Sequence, residues 1–540
     1  MNKLTHIRET VKAIGVLRQR GVIDPRHLNY TIDSARLVKK FGPPATLVMV
    51  GAAKHPDAPA IADERGALTY AEMDRISNAY ARGLESLGLA EGDVAGVLAR
   101  DHRGLALSLM ALGKLGVRAL LMNTGFAKPQ FAEVAEREHV KAVLHDSEFI
   151  GLLDALPAEL PRVFTWLDEG TDLPAGAHTI DSLAVGRATD RLATPSEPGG
   201  AIVLTSGTTG LPKGATRKTV SPLATAQMVD RIPFPRRGTM MIVSPIFHST
   251  GLGTWFVGMA LGNKIVVRRR FDAEATLASL AEHRAEMLVA VPTMLHRMVE
   301  LPAEVRAKYD LSALRVILIA GSALSPELTI RTQEAFGDVL YNLYGSTECA
   351  VATVADPQDL RLAPGTAGRS PVTCEVVLFD EHDQRVHGTG KQGRIFVRSG
   401  APFEGYTDGR NKQIVDGYMS SGDTGHFDEH GLLFVDGRDD DMIVSGGENV
   451  FPQEVEELLV QRPDVFDAAV VGVDDTEFGK RLRAFIVSEP GAAQDAEEIK
   501  QYVKSNLARY KVPRDVVFIE ELPRNATGKL LRRTLVEMAV

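Results

Sequence analysis

Short apolar runs alternate with stretches whose apolar positions recur every three or four residues across most of this chain. The runs DVAGVLA (93–99), RALLMN (118–123), KAVLHD (141–146), AIVLT (201–205), MIVSPIF (241–247), KIVVRR (264–269), MLVAV (287–291) and RVILIAG (315–321) read as buried strands, and a helix read from Tyr70 to Leu87 precedes the first. Continuous apolar strands separated by helical segments predict βαβ units and a mainly parallel sheet covered on both faces. From about residue 372 the texture changes to EVVLF, GRIFVRS and GLLFVDG, broken by Gly- and Asp-rich turns, which predicts an antiparallel or barrel-like unit. After Arg438 come a Pro-led helix (452–461), strands AAVVGV (468–473) and AFIVSE (484–489), a helix near 495–508 and a strand VVFIEEL (516–522). These predict a small α+β unit of about a hundred residues.

The first 40 residues stand apart. They hold nine Lys or Arg against Glu9, Asp24 and Asp33, a net +6, which leaves −15 for the rest of a chain whose total is −9. Leu4, Ile7, Val11 and Ile14 recur there at helical spacing, with Arg8 and Lys12 beside them. Two readings follow: a helix docked on its own domain, or a basic amphipathic helix making weak peripheral contact with an anionic membrane surface. Elsewhere composition mainly excludes. The acidic balance argues against general nucleic-acid binding. Two cysteines, Cys349 and Cys374, allow neither a disulfide framework nor a four-cysteine zinc site. The longest apolar stretch, 105–122, is interrupted by Lys114 and Arg118, so no membrane span is expected. The opening residues lack the apolar core and cleavage site of a secretion signal, and a cytoplasmic enzyme of several domains is expected.

Two motifs mislead. Gly388-Thr-Gly390-Lys-Gln-Gly393 has dinucleotide-fingerprint spacing, but a strand follows it where a helix is required, so it reads as a turn. Asn29-Tyr-Thr31 and Asn525-Ala-Thr527 fit a glycosylation sequon without the secretory context that would use it. The informative segment is Thr205-Ser206-Gly207-Thr208-Thr209-Gly210-Leu211-Pro212-Lys213-Gly214, directly after a strand. Hydroxyls and glycines let backbone N–H groups wrap an anion, and Lys213 adds a point charge. It is no Walker loop, because Pro-Lys-Gly stands where Gly-Lys-Ser/Thr is needed.

That decamer resembles the phosphate-loop signature of the adenylate-forming superfamily, in particular its acyl-CoA synthetases. Four further segments carry the resemblance in order: Tyr344-Gly345-Ser346-Thr347-Glu348, Ser421-Gly-Asp423, the stretch from Gly437 to Asn449, and Pro523 to Lys529. The resemblance covers about residues 45–540 and implies an α/β fold with these parts. A large N-terminal domain (46–437) would hold doubly wound α/β subdomains and the β-barrel-like subdomain. A hinge (438–440) would join it to a small mobile α+β C-terminal domain (441–540), and residues 1–45 would be an extension. It further implies ATP, Mg2+ and coenzyme A, and a reaction in which a carboxylic acid becomes an acyl-adenylate and then a thioester.

By the same resemblance Lys529 bridges the acid and the α-phosphate, and Thr205 and Glu348 share the metal. Ser206 to Lys213 hold the outer phosphates. Gly321-Ser322-Ala323 and the segment Tyr344 to Thr347 enclose adenine, and Asp423 with Arg438 holds the ribose. Asp440 is the hinge, and Ser445-Gly446-Gly447 lets the pantetheine arm pass. Peptide-synthetase relatives hold an amino group with an Asp where this chain has His248, so an α-amino acid is not expected. His248 gates the acyl site or packs in an aromatic core. The apolar, small-residue stretch 251–262 borders an acyl tunnel, with Gly251, Trp255 and Ala320 as candidate lining, or packs as a helix on the sheet. A medium- or long-chain fatty acid is the expected substrate. An aryl-CoA ligase, an acyl-AMP ligase loading a carrier protein, and a non-catalytic nucleotide and acyl sensor are the alternatives. A homodimer is compatible with the sequence but not indicated by it.

Overall fold

In a computed structural model of the chain, residues 3–23, 28–205, 213–217, 222–400, 411–439, 442–489, 491–492, 494–523 and 530–538 are described. The alternating apolar runs form two sheets. One has eight strands, in the order Thr353–Ala355, Leu340–Tyr344, Val316–Ile319, Met287–Ala290, Thr239–Ile242, Lys264–Val267, Pro59–Asp63, Gly66–Thr69, with only its two edge pairings antiparallel. The other has seven, ordered His178–Thr179, Arg162–Trp166, Val140–Asp146, Val94–Leu98, Arg118–Leu121, Ala201–Thr205, Lys213–Arg217, and is parallel except at the last pair. Val94–Leu98, Met287–Ala290 and Val316–Ile319 are buried at every position, as their unbroken apolar runs require when helices cover both faces. Each buried Val, Leu, Ile or Met among them contributes about 1.5–3 kcal/mol.

Strand ends differ from the sequence expectation where backbone chemistry intervenes. The strand expected over 241–247 stops at Ile242: Pro245 lacks an N–H and biases the residue before it, and Val243 and Ser244 both donate to the Val289 carbonyl. The strand read over 516–522 ends at Phe518.

The expected barrel-like unit is a five-stranded antiparallel sheet in which Tyr418–Phe427 pairs with both Gly393–Ser399 and Leu433–Arg438. Residues 388–393 lie in the turn before Gly393–Ser399, where Gly388 and Gly390 have φ of 106° and 71°. The small unit carries a hairpin, Ile443–Ser445 with Glu448–Val450, and a sheet of Val465–Asp475, Gly479–Ser488 and Asp515–Phe518. The helices Pro452–Leu459 and Ala496–Asn506 pack together and share an apolar cluster with that sheet.

The N-terminal residues form three helices, α1 (Lys3–Gln19), α2 (Leu28–Phe41) and α3 (Pro43–Lys54). Helix α1 docks on the helix Pro222–Arg231, burying Ala13 and Leu17, and the Arg20 guanidinium donates to the Asp230 carbonyl at 2.6 Å. This corrects the expected stripe. Val11 and Ile14 face solvent at 63% and 49% exposure, while the side chains of Leu4 and Ile7 lie outside the described residues. The docked face is offset because Ala13 and Leu17, four apart, present a small and a large apolar group one turn from each other. Among the described residues no helix is long and apolar enough to cross a membrane.

Candidate active site

Parallel strands bring their C-terminal ends to one edge, where loops can line a crevice. Asp101, Asn123, His248, Val291, Gly321 and Tyr344 all sit there, after Val94–Leu98, Arg118–Leu121, Thr239–Ile242, Met287–Ala290, Val316–Ile319 and at the end of Leu340–Tyr344. Between them, the five-stranded sheet and the small unit runs a cavity of 2510 Å3.

At one end, register makes the first constellation. Tyr418–Phe427 and Leu433–Arg438 place Asp423 opposite Arg438, whose Nη1 donates to Asp423 Oδ1 at 2.6 Å. The Tyr344 hydroxyl donates to the other oxygen at 2.5 Å. Burial, and then the Asp423 carboxylate, hold the Tyr344 hydroxyl well above its ordinary pKa, so it stays a donor. Asp423 lies on a strand, not in the turn that Ser421-Gly-Asp423 suggests, and a register shift at Thr424/Gly425 aims it inward. Ala320, Gly321, Ser322 and Ala323 line the same end, with Tyr344 to Glu348. Ser346 Oγ accepts from the N–H groups of Glu348 and Cys349 at 3.2 and 3.3 Å, closing a tight turn. Gly345 is required in it, because a Cβ there would stand 2.0 Å from the Ala350 carbonyl oxygen. Glu348 is 9% exposed at the cavity wall.

The second constellation joins the two units. Ser445-Gly446-Gly447-Glu448 is a two-residue hairpin turn with φ of 60° and 88° at the glycines, the left-handed pair that such turns demand. It brings Gly447 near Val291 and sets Glu448 against His248, Oε1 to Nε2 at 3.0 Å, with Asn123 Nδ2 donating at 3.3 Å. Burial would lower the His248 pKa, but the Glu448 carboxylate and Asp101 outweigh it and raise it. Burial would raise Glu448, and the His248 charge and hydrogen bond instead hold it below the usual carboxylate range. Asp101 accepts from the Ile246 N–H at 3.0 Å, and burial pushes its carboxyl up to about 7. Further contacts fasten the units. Gln130 Nε2 donates to Glu454 at 2.9 Å, a carboxylate that Lys511 of its own unit also pairs, Arg297 pairs with Glu477, and the Arg509 N–H donates to the Gly125 carbonyl.

The third part of the cavity follows the helix Ser249–Ala260, the packed helix of the two alternatives for 251–262. It lines the cavity with Ser249, Thr250 and Thr254 and with the apolar Leu252, Gly253, Phe256, Val257, Met259 and Ala260. Trp255 is 1% exposed in the core, and a Cβ on Gly251 would meet the Pro245 carbonyl oxygen at 2.4 Å; neither borders the cavity, contrary to expectation. Helical periodicity turns them to the sheet side. Ser445 and Gly446 likewise support the hairpin tip while Gly447 and Glu448 line the cavity. Ser206 to Pro212, Asp440 and Lys529 lie outside the described residues, as do the side chains of Thr205 and Lys213. Sequence reasoning missed Glu448, Asn123 and Asp101 as site members. Strand-end position was the available signal for the last two.

Comparison with known proteins adds a family. A family profile described as AMP-binding enzyme matches residues 50–407, and one described as AMP-binding enzyme C-terminal domain matches residues 454–529. The chain is 32% identical to an indoleacetate–CoA ligase of Aromatoleum aromaticum, covering 86% of this chain and 91% of that protein. It is 30% identical to a long-chain-fatty-acid–CoA ligase of Mycobacterium tuberculosis, covering 87% and 93%. Among solved structures it is similar to the o-succinylbenzoate CoA synthetase of Bacillus subtilis in two states. With its product analogue bound the TM-score is 0.78 at 26% identity, over 91% and 98% of the chains. With ATP and magnesium the TM-score is 0.64 at 27% identity, over the same shares.

Proposed function

This chain belongs to the AMP-binding enzymes, as an acid–CoA ligase that forms AMP, and from that footing we propose an aliphatic acid of medium or long chain as its substrate. The observation that carries the proposal is the continuity of one cavity from the Asp423–Tyr344–Arg438 pocket, past the hairpin tip and His248, into the apolar face of Ser249–Ala260. Relatives named for aryl acids share the reaction, and the apolar branch favours an alkyl chain over a single ring.

The reaction has two displacements. A carboxylate oxygen attacks the α-phosphorus of ATP and pyrophosphate leaves with the electron pair of the broken P–O bond. The sulfur of coenzyme A then attacks the acyl carbon, its thiol proton goes to solvent or a base, and AMP leaves. Two anions meet in the first step, so neutralising charge is the main task. We assign Lys529 and Lys213 to it, with Ser206, Gly207, Thr208, Thr209 and Gly210 around the outer phosphates. Asp423 accepts from the ribose hydroxyls while Arg438 and Tyr344 hold its carboxylate in place. Glu348 fits Mg2+, which takes hard oxygen ligands beside phosphate, and Thr205 is its assigned companion. The metal supplies charge neutralisation on the phosphates. His248, held by Glu448, closes the acid's carboxylate end against water.

The greater likeness to the product-analogue-bound relative supports reading the docking of the hairpin on His248 as the thioester-forming arrangement. We place the hinge at Asp440, and assign residues 46–437 and 441–540 as the two bodies it joins. Weak contact of the basic N-terminal helices with an anionic membrane remains part of the proposal, supported by exposed Val11, Ile14 and Ile32. The test is a panel of straight-chain and aryl acids with ATP, Mg2+ and coenzyme A, resolving thioester, AMP and pyrophosphate. Thioester formation with octanoate or palmitate at higher kcat/KM than with aryl acids is the expected result; turnover of aryl acids alone would overturn the substrate assignment.

A further inference from the structure

We propose that the N-terminal helices, of which α1 and α2 precede the residues matched to the family, build one wall of the acyl passage and set the chain length it accepts. This rests on the acid-activating reading above. The helix Ser249–Ala260 turns Gly253 and Phe256 to the cavity, three residues apart on one face. Gly253 stands open there: a Cβ would touch only the Met228 methyl at 3.5 Å, whereas one on Gly258, on the sheet side, would press on Ile265 and Met240 at 2.8 and 2.9 Å.

The same cavity is bordered by Val22 after α1, Val38 on α2, and Leu47 and Val50 on α3, all half-buried. Their neighbours Ala45 and Val48 are fully buried, so α3 packs one face on the protein and turns the other to the passage. Apolar residues of the N-terminal helices and of the helix Ser249–Ala260, against which α3 packs, border one cavity, which fits an alkyl chain, each methylene of which adds about fourfold in affinity when buried. Lys39, Lys54, Arg236 and Arg237 border the same cavity, and all but Lys54 are exposed. Burial, then the charges of Arg237 and Lys54, lower the His55 pKa beside them, in keeping with a concentrated positive rim. On this inference the hydrated cations limit how far an apolar chain extends.

The experiment measures kcat/KM for straight-chain acids from butyrate to stearate on the full-length protein and two variants. Gly253→Leu narrows the passage from the family domain, and Val38→Trp narrows it from α2. Both should move the preferred acid toward shorter chains, lowering the ratio of long- to short-chain kcat/KM by at least about tenfold. If Val38→Trp melts like the parent protein and leaves the profile unchanged while Gly253→Leu shifts it, the N-terminal helices are not a wall and the proposal fails. Should Val38→Trp not fold, Leu47→Phe serves in its place with the same two outcomes. A parent protein that turns over no straight-chain acid overturns the substrate reading itself, a result distinct from an unshifted profile.

Discussion

At the scale of single residues, the site is organised by charges that burial makes costly unless they are paired. His248 and Glu448 satisfy each other across the two units. Replacing the carboxylate by an amide trades a charge-assisted hydrogen bond for a neutral one, so Glu448→Gln should slow thioester formation about tenfold or more. It should also return the His248 pKa toward lower values, moving the pH profile of that half-reaction to lower pH. Single-turnover reaction of supplied acyl-adenylate with coenzyme A reads both; an unchanged profile would remove His248 from the step. Lys529→Ala should behave oppositely, lowering adenylation by roughly 10²–10³ while sparing that same reaction.

Asp101 gives a stability test. Its carboxyl titrates near 7 in the folded protein, pushed up by burial, so the folded state binds a proton that the unfolded chain releases near 4. Stability from this group is therefore present at pH 4 and lost as pH rises toward 7. Asp101→Asn keeps an acceptor for the Ile246 N–H without the buried charge. Its melting temperature should exceed the parent's at pH 8, and the excess should shrink as pH falls toward 4. Equal melting temperatures at pH 8 would mean that the charge is not costly there.

At the scale of elements, apolar periodicity made the parallel strands readable, because a strand buried on both faces announces itself in four or five consecutive apolar residues, as in Val316–Ile319. Tyr418–Phe427 gave no such signal. Its Ser, Gly and Asp residues have weak strand preference, and it exists because strands on both sides supply hydrogen bonds. The hairpin tip was legible as Ser445-Gly-Gly447 but its reason was not. The glycines serve a left-handed turn first, and the close approach to Val291 follows from it. A Gly447→Val variant puts a branched side chain at φ of 88°. It should therefore impair thioester formation, while adenylation, measured by pyrophosphate release, keeps its rate. The contacts across units, such as Asn123 with Glu448, were beyond sequence reading, since 325 residues separate the partners.

At the scale of the whole molecule, the proposed reaction uses one cleft for two displacements, with the small unit presenting different groups to each. The contacts of Glu448, Glu454, Glu477 and Arg509 with the large unit hold one of these arrangements. Proline at residue 440 fixes φ and stiffens the hinge. Asp440→Pro should accordingly slow the overall reaction while at least one half-reaction, measured alone, stays near the parent rate. On the inference above, the N-terminal helices belong to the same scale, as a wall of the acyl passage.

The measurement that bears most directly on the central claim is the product balance of the full-length protein with ATP, Mg2+, coenzyme A and a straight-chain acid such as palmitate. The account predicts thioester, AMP and pyrophosphate in equal amounts, with acyl-adenylate appearing when coenzyme A is withheld. Formation of ADP, or of AMP and pyrophosphate with no thioester in the presence of coenzyme A, would contradict it.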